Sequence, residues 1–270
     1  MKKLKVGIIG CGAIGSEIAA ACQGRLKSHI DLLAICDTDP KKASVLNGSL
    51  SKKVPVMPLD EIIKKVDLMI EAASASISGK VVEKCIKNKT DCLVMSVGGL
   101  LGEERLLRLA ESRGVKVYIP SGALCGIDGL KAASIGKVDS VMLTTRKPPK
   151  GLIGAPYLKR TDIDVYGIKG ETVIFEGNAE EAVEGFPQNV NVSAVLSLAG
   201  IGARKTRVRI VTSPDYSKNI HEVEITGEFG KIVTRTENLP SKTNPKTSAL
   251  AILSAIAKIE QIVKNVQIGT

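Results

Sequence analysis

Lys5-Val6-Gly7-Ile8-Ile9-Gly10-Cys11-Gly12-Ala13-Ile14-Gly15, near the start of the 270-residue chain, is the stretch whose reading decides the fold. Val6-Gly7-Ile8-Ile9 carries no polar alternation, as expected of a strand covered on both faces. It breaks at once into Gly10-Cys11-Gly12, and a helix is expected over Ile14–Cys22. In such a strand–turn–helix the first glycine permits the tight turn and the second lets the backbone approach a pyrophosphate. The third lets helix and strand pack closely. The helix N-terminus turns free N–H groups and positive potential towards phosphate. Gly10, Gly12 and Gly15, with Ala13 and Ile14 between them, therefore read as a dinucleotide cradle.

The same texture continues to about residue 120. Strands are expected at Lys5–Ile9, Leu32–Cys36, Leu68–Glu71, Cys92–Ser96 and Lys116–Ile119, with helices at Ile14–Cys22, Asp60–Lys65, Ser78–Asn88 and Glu103–Arg113. Alternation of this kind marks a doubly wound α/β fold with a parallel sheet. Asp37 closes the second strand in Ala34-Ile35-Cys36-Asp37, where a carboxylate accepts hydrogen bonds from adenosine ribose hydroxyls and repels a 2′-phosphate. That favours NAD over NADP, although Lys41 and Lys42 close behind soften the repulsion. Small residues in Glu71-Ala72-Ala73-Ser74, Ser96-Val97-Gly98-Gly99 and Pro120-Ser121-Gly122-Ala123 end other strands at the same sheet edge, where a ligand would approach the backbone.

After Pro120 the chain turns to β-branched segments at Ser140–Thr145, Asp164–Ile168, Thr172–Glu176, Thr206–Thr212, Ile220–Thr226 and Lys231–Arg235. Alternation such as His221-Glu222-Val223-Glu224-Ile225 indicates a mostly antiparallel sheet with one face covered. Asn244-Pro245 reads as a helix N-cap followed by proline at the first helical position. Ile252, Ile256, Ile259 and Val263 then share one helical face. The expected organisation is a dinucleotide-binding domain of residues 1–120 with 246–270, and a substrate and dimerisation α/β domain of residues 121–245. The exposed sheet face and the apolar helix favour a homodimer.

Composition narrows the function classes. Apolar residues make up 44% and charged residues 24%, which suits a chain with a full core and argues against disorder. No apolar run approaches the ~20 residues that span a bilayer. The basic start Met1-Lys2-Lys3-Leu4-Lys5 leads into a strand and not a signal peptide, so a cytoplasmic, non-membrane protein is expected. Net charge is +10, which suits anionic small ligands. The basic residues are dispersed, and three Phe, four Tyr and no Trp offer little to stack on bases, so nucleic acid is not expected as a partner. Cys11, Cys22, Cys36, Cys85, Cys92 and Cys125 form no CxxC pair, so no metal site is expected and buried thiols are the reading.

The chain has two histidines. His29 lies in a polar connection. His221 opens a strand in the second domain and is either an acid–base group or a half-exposed strand histidine.

Gly10–Gly15, Ser121-Gly122-Ala123, Thr145-Arg146-Lys147-Pro148-Pro149, Phe186-Pro187-Gln188-Asn189-Val190-Asn191-Val192 and Asn219-Ile220-His221-Glu222 occur in this order. Together they resemble the L-aspartate dehydrogenases that feed NAD biosynthesis, over nearly the whole chain. The resemblance implies a Rossmann-like domain completed by the C-terminal helix, an α/β domain carrying the substrate side and a dimer contact, and NAD or NADP as cofactor. It makes His221 the active-site histidine, with Ala123 and Asn189 as nicotinamide-cofactor contacts. The implied reaction takes L-aspartate through iminoaspartate to oxaloacetate and ammonia. Two substrate carboxylates need cationic or N–H partners, and Arg146, Lys147 and Lys159 are the candidates among which sequence does not choose. Rival readings are another two-domain dehydrogenase or reductase, and a dinucleotide-binding sensor without catalysis. Dihydrodipicolinate reductases carry paired histidines, which this sequence lacks.

Overall fold

The computed structural model describes residues 2–187, 191–241 and 247–269. The chain divides into two compact units, one running to Pro120 and including Ile252–Gln267, the other built on Ser121–Ala251.

In the first unit β1 (Leu4–Ile9) leads to α1 (Ala13–Gln23), β2 (Ile30–Cys36), α2 (Pro40–Ser49), α3 (Leu59–Ile62) and β3 (Leu68–Glu71). Then follow α4 (Ala75–Asn88), β4 (Asp91–Val94), α5 (Glu104–Ser112) and β5 (Val117–Tyr118). The five strands are all parallel, in the order β2-β1-β3-β4-β5. Chain order reverses between β1 and β3, which places the switch point of the sheet at the carboxyl end of β1, where the glycine turn lies. Helix α2 was not anticipated. Its signal is Asp39-Pro40: Asp39 caps the helix by accepting from the Lys41 N–H at 2.9 Å, and Pro40 occupies the first turn.

The glycines of the turn answer to different demands. Gly10 has φ +98, and a Cβ there would lie 2.4 Å from the Ala72 carbonyl oxygen. A Cβ on Gly15 would lie 1.8 Å from the carbonyl oxygen of Gly10. Both are backbone contacts that cannot give way. Gly12, by contrast, has an ordinary φ of −77, and a Cβ there would meet nothing within 4 Å. Packing requires glycine at 10 and 15 and is indifferent to it at 12.

The second unit runs through α6 (Ile127–Ala133), β6 (Val138–Lys147), α7 (Pro156–Thr161), β7 (Thr172–Asn178) and α8 (Ala179–Gly185). It continues with α9 (Asn191–Ala199), β8 (Thr206–Thr212), β9 (Asn219–Gly227) and β10 (Gly230–Asn238). Its sheet has the order β10-β9-β6-β8-β7. Three of its pairings are antiparallel, and the central pair β6–β8 is parallel. The anticipated strand at Asp164–Ile168 is instead a turn. Asp164 folds it by accepting from the Tyr166 N–H at 2.9 Å, leaving Tyr166 exposed while Val165 is buried. Leu143, Val208, Ile210, Val223 and Ile225 form the buried layer of this sheet, against which Phe175 and Phe186 pack.

Helix α10 (Ala249–Val263) closes the described chain. Ile252, Ala255, Ile256 and Ile259 enter the core of the first unit with Val6, Ile8, Ile18 and Leu68, and Val263 is partly buried beside them. The Asn244-Pro245 cap lies outside the described residues. No helix among the described residues is long and apolar enough to cross a membrane.

Gly15→Ala should destabilise the protein by about 3 kcal/mol, because its methyl overlaps backbone. Gly12→Ala should change stability by less than about 0.5 kcal/mol. Chemical denaturation of the two variants checks the contrast, and equal losses would show that the turn is not packed in this way.

Candidate functional site

In the first unit, Asp37 follows β2 directly and turns its carboxylate back on the glycine turn. Oδ2 accepts from the Cys11 N–H at 2.7 Å and Oδ1 from the Asp39 N–H at 2.8 Å. One acid thus fixes the Gly10-Cys11-Gly12 loop and the entry to α2, with lone pairs left for ribose hydroxyls. Lys41 and Lys42 are exposed in the first turn of α2. The first residues of α1 have no side-chain cap, so the N–H groups above Gly12 remain available. Cys11 itself is buried, and burial together with the neighbouring Asp37 charge pushes its thiol up to about 12, so it is inert as a nucleophile. The residues fit a dinucleotide: a helix N-terminus, an open face over Gly12 and an acid directly after β2.

Glu71, at the end of β3, is a residue whose role the sequence did not disclose. It is fully buried. Oε1 accepts from the Ala73 N–H at 2.8 Å and the Ser96 hydroxyl at 2.9 Å, and Oε2 accepts from the Ser96 N–H at 3.0 Å. It therefore ties the loop after β3 to the loop after β4, along the sheet edge where small residues were noted. Burial raises its pKa against the opposing effect of these hydrogen bonds.

In the second unit the chemistry sits on the inner face of the sheet. Side chains two apart on a strand share a face, and paired residues face the same way. Along β6 that face carries Val141, Leu143, Thr145 and Lys147; along β8 it carries Val208, Ile210 and Thr212. Along β9 it carries Ile225, Val223 and His221, and along β10 Ile232, Thr234 and Thr236. Along β6, β9 and β10 the face is apolar at one end and polar at the other.

His221 lies in that polar end and is only 4% exposed, so it is a buried and not a half-exposed strand histidine. Thr145 stands directly opposite it, with Oγ1 3.1 Å from Nδ1. Burial first, and the charge of Lys147 second, lower the imidazole pKa to about 3. The ring is neutral throughout the working pH range. In the tautomer that donates Nδ1–H to Thr145, Nε2 keeps a lone pair for an incoming proton. On the other side, Thr236 pairs with His221 and donates to the Ala123 carbonyl at 3.1 Å. Asn238, also buried, donates to the same carbonyl at 3.1 Å. The strand pairing thus gathers His221, Thr145, Lys147, Thr236, Asn238 and Ala123 at one end. The signal was present in sequence as polar residues at inward positions of β6 and β10, but it is readable only once inward is known.

Other expectations fall out differently. Asn189 lies outside the described residues. Cys22, Cys85 and Cys92 are buried as expected, whereas Cys36 is partly exposed and Cys125 is exposed, so the thiols are not uniformly buried. His29 is half-buried in the turn before β2.

Residues 10–120 match the family model described as "Homoserine dehydrogenase, NAD binding domain". Residues 128–262 match "Aspartate dehydrogenase, C-terminal". An L-aspartate dehydrogenase of Methanosarcina barkeri is 48% identical, over 99% of this chain and 100% of its own. The L-aspartate dehydrogenase of Bradyrhizobium diazoefficiens is 38% identical, over 99% and 95%. Among solved structures, the aspartate dehydrogenase of Thermotoga maritima superposes with a TM-score of 0.73 at 27% identity, covering 99% of this chain and 100% of that one. With a turn shaped for a dinucleotide in one unit and a buried neutral histidine in the other, and with full-length relatives well above a third identical, the chain belongs to the aspartate dehydrogenase family.

Proposed function

We propose that the chain catalyses NAD(P)-dependent oxidation of L-aspartate to iminoaspartate, which water converts to oxaloacetate and ammonia. The observation that carries this reading is His221, held neutral and buried, with Nδ1 anchored by Thr145. The bound dinucleotide would supply the hydride acceptor for Cα of the substrate. The chain's own residues bind, orient and move the proton. His221 takes a proton from the substrate amino nitrogen at Nε2 as the C=N bond forms. In the empty site an imidazole with a pKa of about 3 is a weak base. Two substrate carboxylates brought beside it raise that pKa and make proton transfer favourable. Gly10, Gly12, Ala13, Ile14 and Gly15 hold the pyrophosphate in this reading, with Asp37 at the adenosine ribose and Ala123 and Asn189 near the nicotinamide. The iminoaspartate so formed supplies NAD biosynthesis.

His221→Ala should lower kcat for L-aspartate oxidation by about 10²-fold or more. Cofactor affinity and folding should be retained. In the wild type, kcat/KM should show no His221 limb between about pH 5 and 9, because that ratio reports the free enzyme. NADH formation, dinucleotide titration and thermal melting on one preparation test this, and a folded variant with near-normal turnover would sink the assignment.

For the cofactor, Asp37→Ala should weaken both dinucleotides, since the carboxylate also fixes the Cys11 N–H. It should also narrow the preference for NAD over NADP by about tenfold, as the repulsion of a 2′-phosphate is lost. An unchanged ratio of kcat/KM values would remove Asp37 from the ribose. Gly12→Ala, neutral for stability, should weaken NAD.

A homodimer belongs to the same reading. Support comes from the outer face of the second sheet, where Val173 and Val233 stand more than half exposed among ion-paired strands. Light scattering that returned a single species at the 28.5 kDa monomer mass would refute it.

A further inference from the structure

Among the described residues, Lys147 is the one lysine or arginine that is buried, at 7% exposure. It ends β6 on the inner face, two residues after Thr145, and Thr145 pairs directly with His221. Its backbone carbonyl is fixed by the Thr212 hydroxyl at 2.8 Å, so the strand end that carries it is held in place. Arg146 and Lys159, the other cations proposed for carboxylate recognition, are placed elsewhere. Arg146 faces the opposite side of the sheet, in ion pairs with Glu222 at 3.5 Å and Glu171 at 3.8 Å. Lys159 is exposed on α7.

We propose that Lys147 is the cation that receives a carboxylate of the substrate beside His221. The inference rests on the reading of the chain as an L-aspartate dehydrogenase and deepens it to the residue that recognises the acid. Continuing the Val141–Leu143 face with another apolar residue would carry no desolvation penalty, whereas burying an ammonium does. Burial lowers the Lys147 pKa to about 8, so at neutral pH the amine is still charged, and a carboxylate that docks on it restores part of the lost solvation. The charge also has a fixed effect on its neighbour. It helps to keep His221 neutral in the empty site, and a carboxylate seated on Lys147 cancels that effect when the base is needed. Recognition and activation of the base are then one event.

The test compares wild type with Lys147→Met, and with Lys147→Gln in case the first does not fold. KM for L-aspartate should rise ten- to a hundredfold, the range of a lost charge-assisted hydrogen bond. KM for NAD and the melting temperature should remain near the wild-type values. Binding of succinate, a dicarboxylate without an amine, is measured by calorimetry at saturating NAD. The wild type should bind it and the variants should bind it at least tenfold more weakly. Folded variants with unchanged KM for L-aspartate and unchanged succinate affinity would overturn the assignment, as would a wild type that binds no succinate. If the wild type oxidised no L-aspartate yet bound succinate through Lys147, the functional reading would fail while the anion site stood.

Discussion

The close approach of backbone to backbone at the glycine turn is the constraint on which the first unit depends. The third glycine lets α1 settle on the carbonyl of Gly10, and Gly10 itself lies against the Ala72 carbonyl, so β1, α1 and the loop after β3 are locked by contacts that admit no side chain. Once they are locked, the free N–H groups of α1 and the Asp37 carboxylate fall on the same side of the turn. Glu71 extends the device along the sheet edge, because a buried carboxylate without donors would be costly and here finds them in two successive loops. The polar residues at this edge hold the backbone in place.

The second unit is governed by desolvation. Its sheet buries an apolar face for most of its width and then, at one end of four strands, buries Thr145, Lys147, Thr212, His221 and Asn238 instead. Hydrogen bonds answer some of that cost: Thr145 to His221, Thr212 to the Lys147 carbonyl, and Asn238 to the Ala123 carbonyl. What they do not offset shows in the lowered pKa values of His221 and Lys147. Perturbed ionisation of this kind clusters at functional sites. A neutral base beside a buried cation favours a catalytic reading over that of a passive dinucleotide sensor.

Much of the fold was legible because its causes are local. The runs at Val6–Ile9 and Leu68–Glu71, the helical spacing of Ile252, Ile256 and Ile259, and the alternation in Val208–Val211 depend on neighbours a few residues away. Misreadings have local causes too. Asp164–Ile168 has strand-like composition, but an aspartate side chain competes for the backbone and folds a turn. The helix after Asp39-Pro40 carries a clear cap and a weak apolar face, with only Ala43 and Leu46 buried.

The sequence by itself determined the strand–glycine-turn–helix, the acid that follows the second strand at Asp37 and the parallel first sheet, because motif spacing and period are properties of adjacent residues; His221 stood out only as one of two histidines and through a family resemblance. Only the tertiary structure decided that His221 is buried and neutral, that Arg146 faces away and that Lys147 shares its face. The physical reason is register. Thr145 and His221 are brought together by a strand pairing across 76 residues, and burial there is a property of the pairing and of neither segment alone.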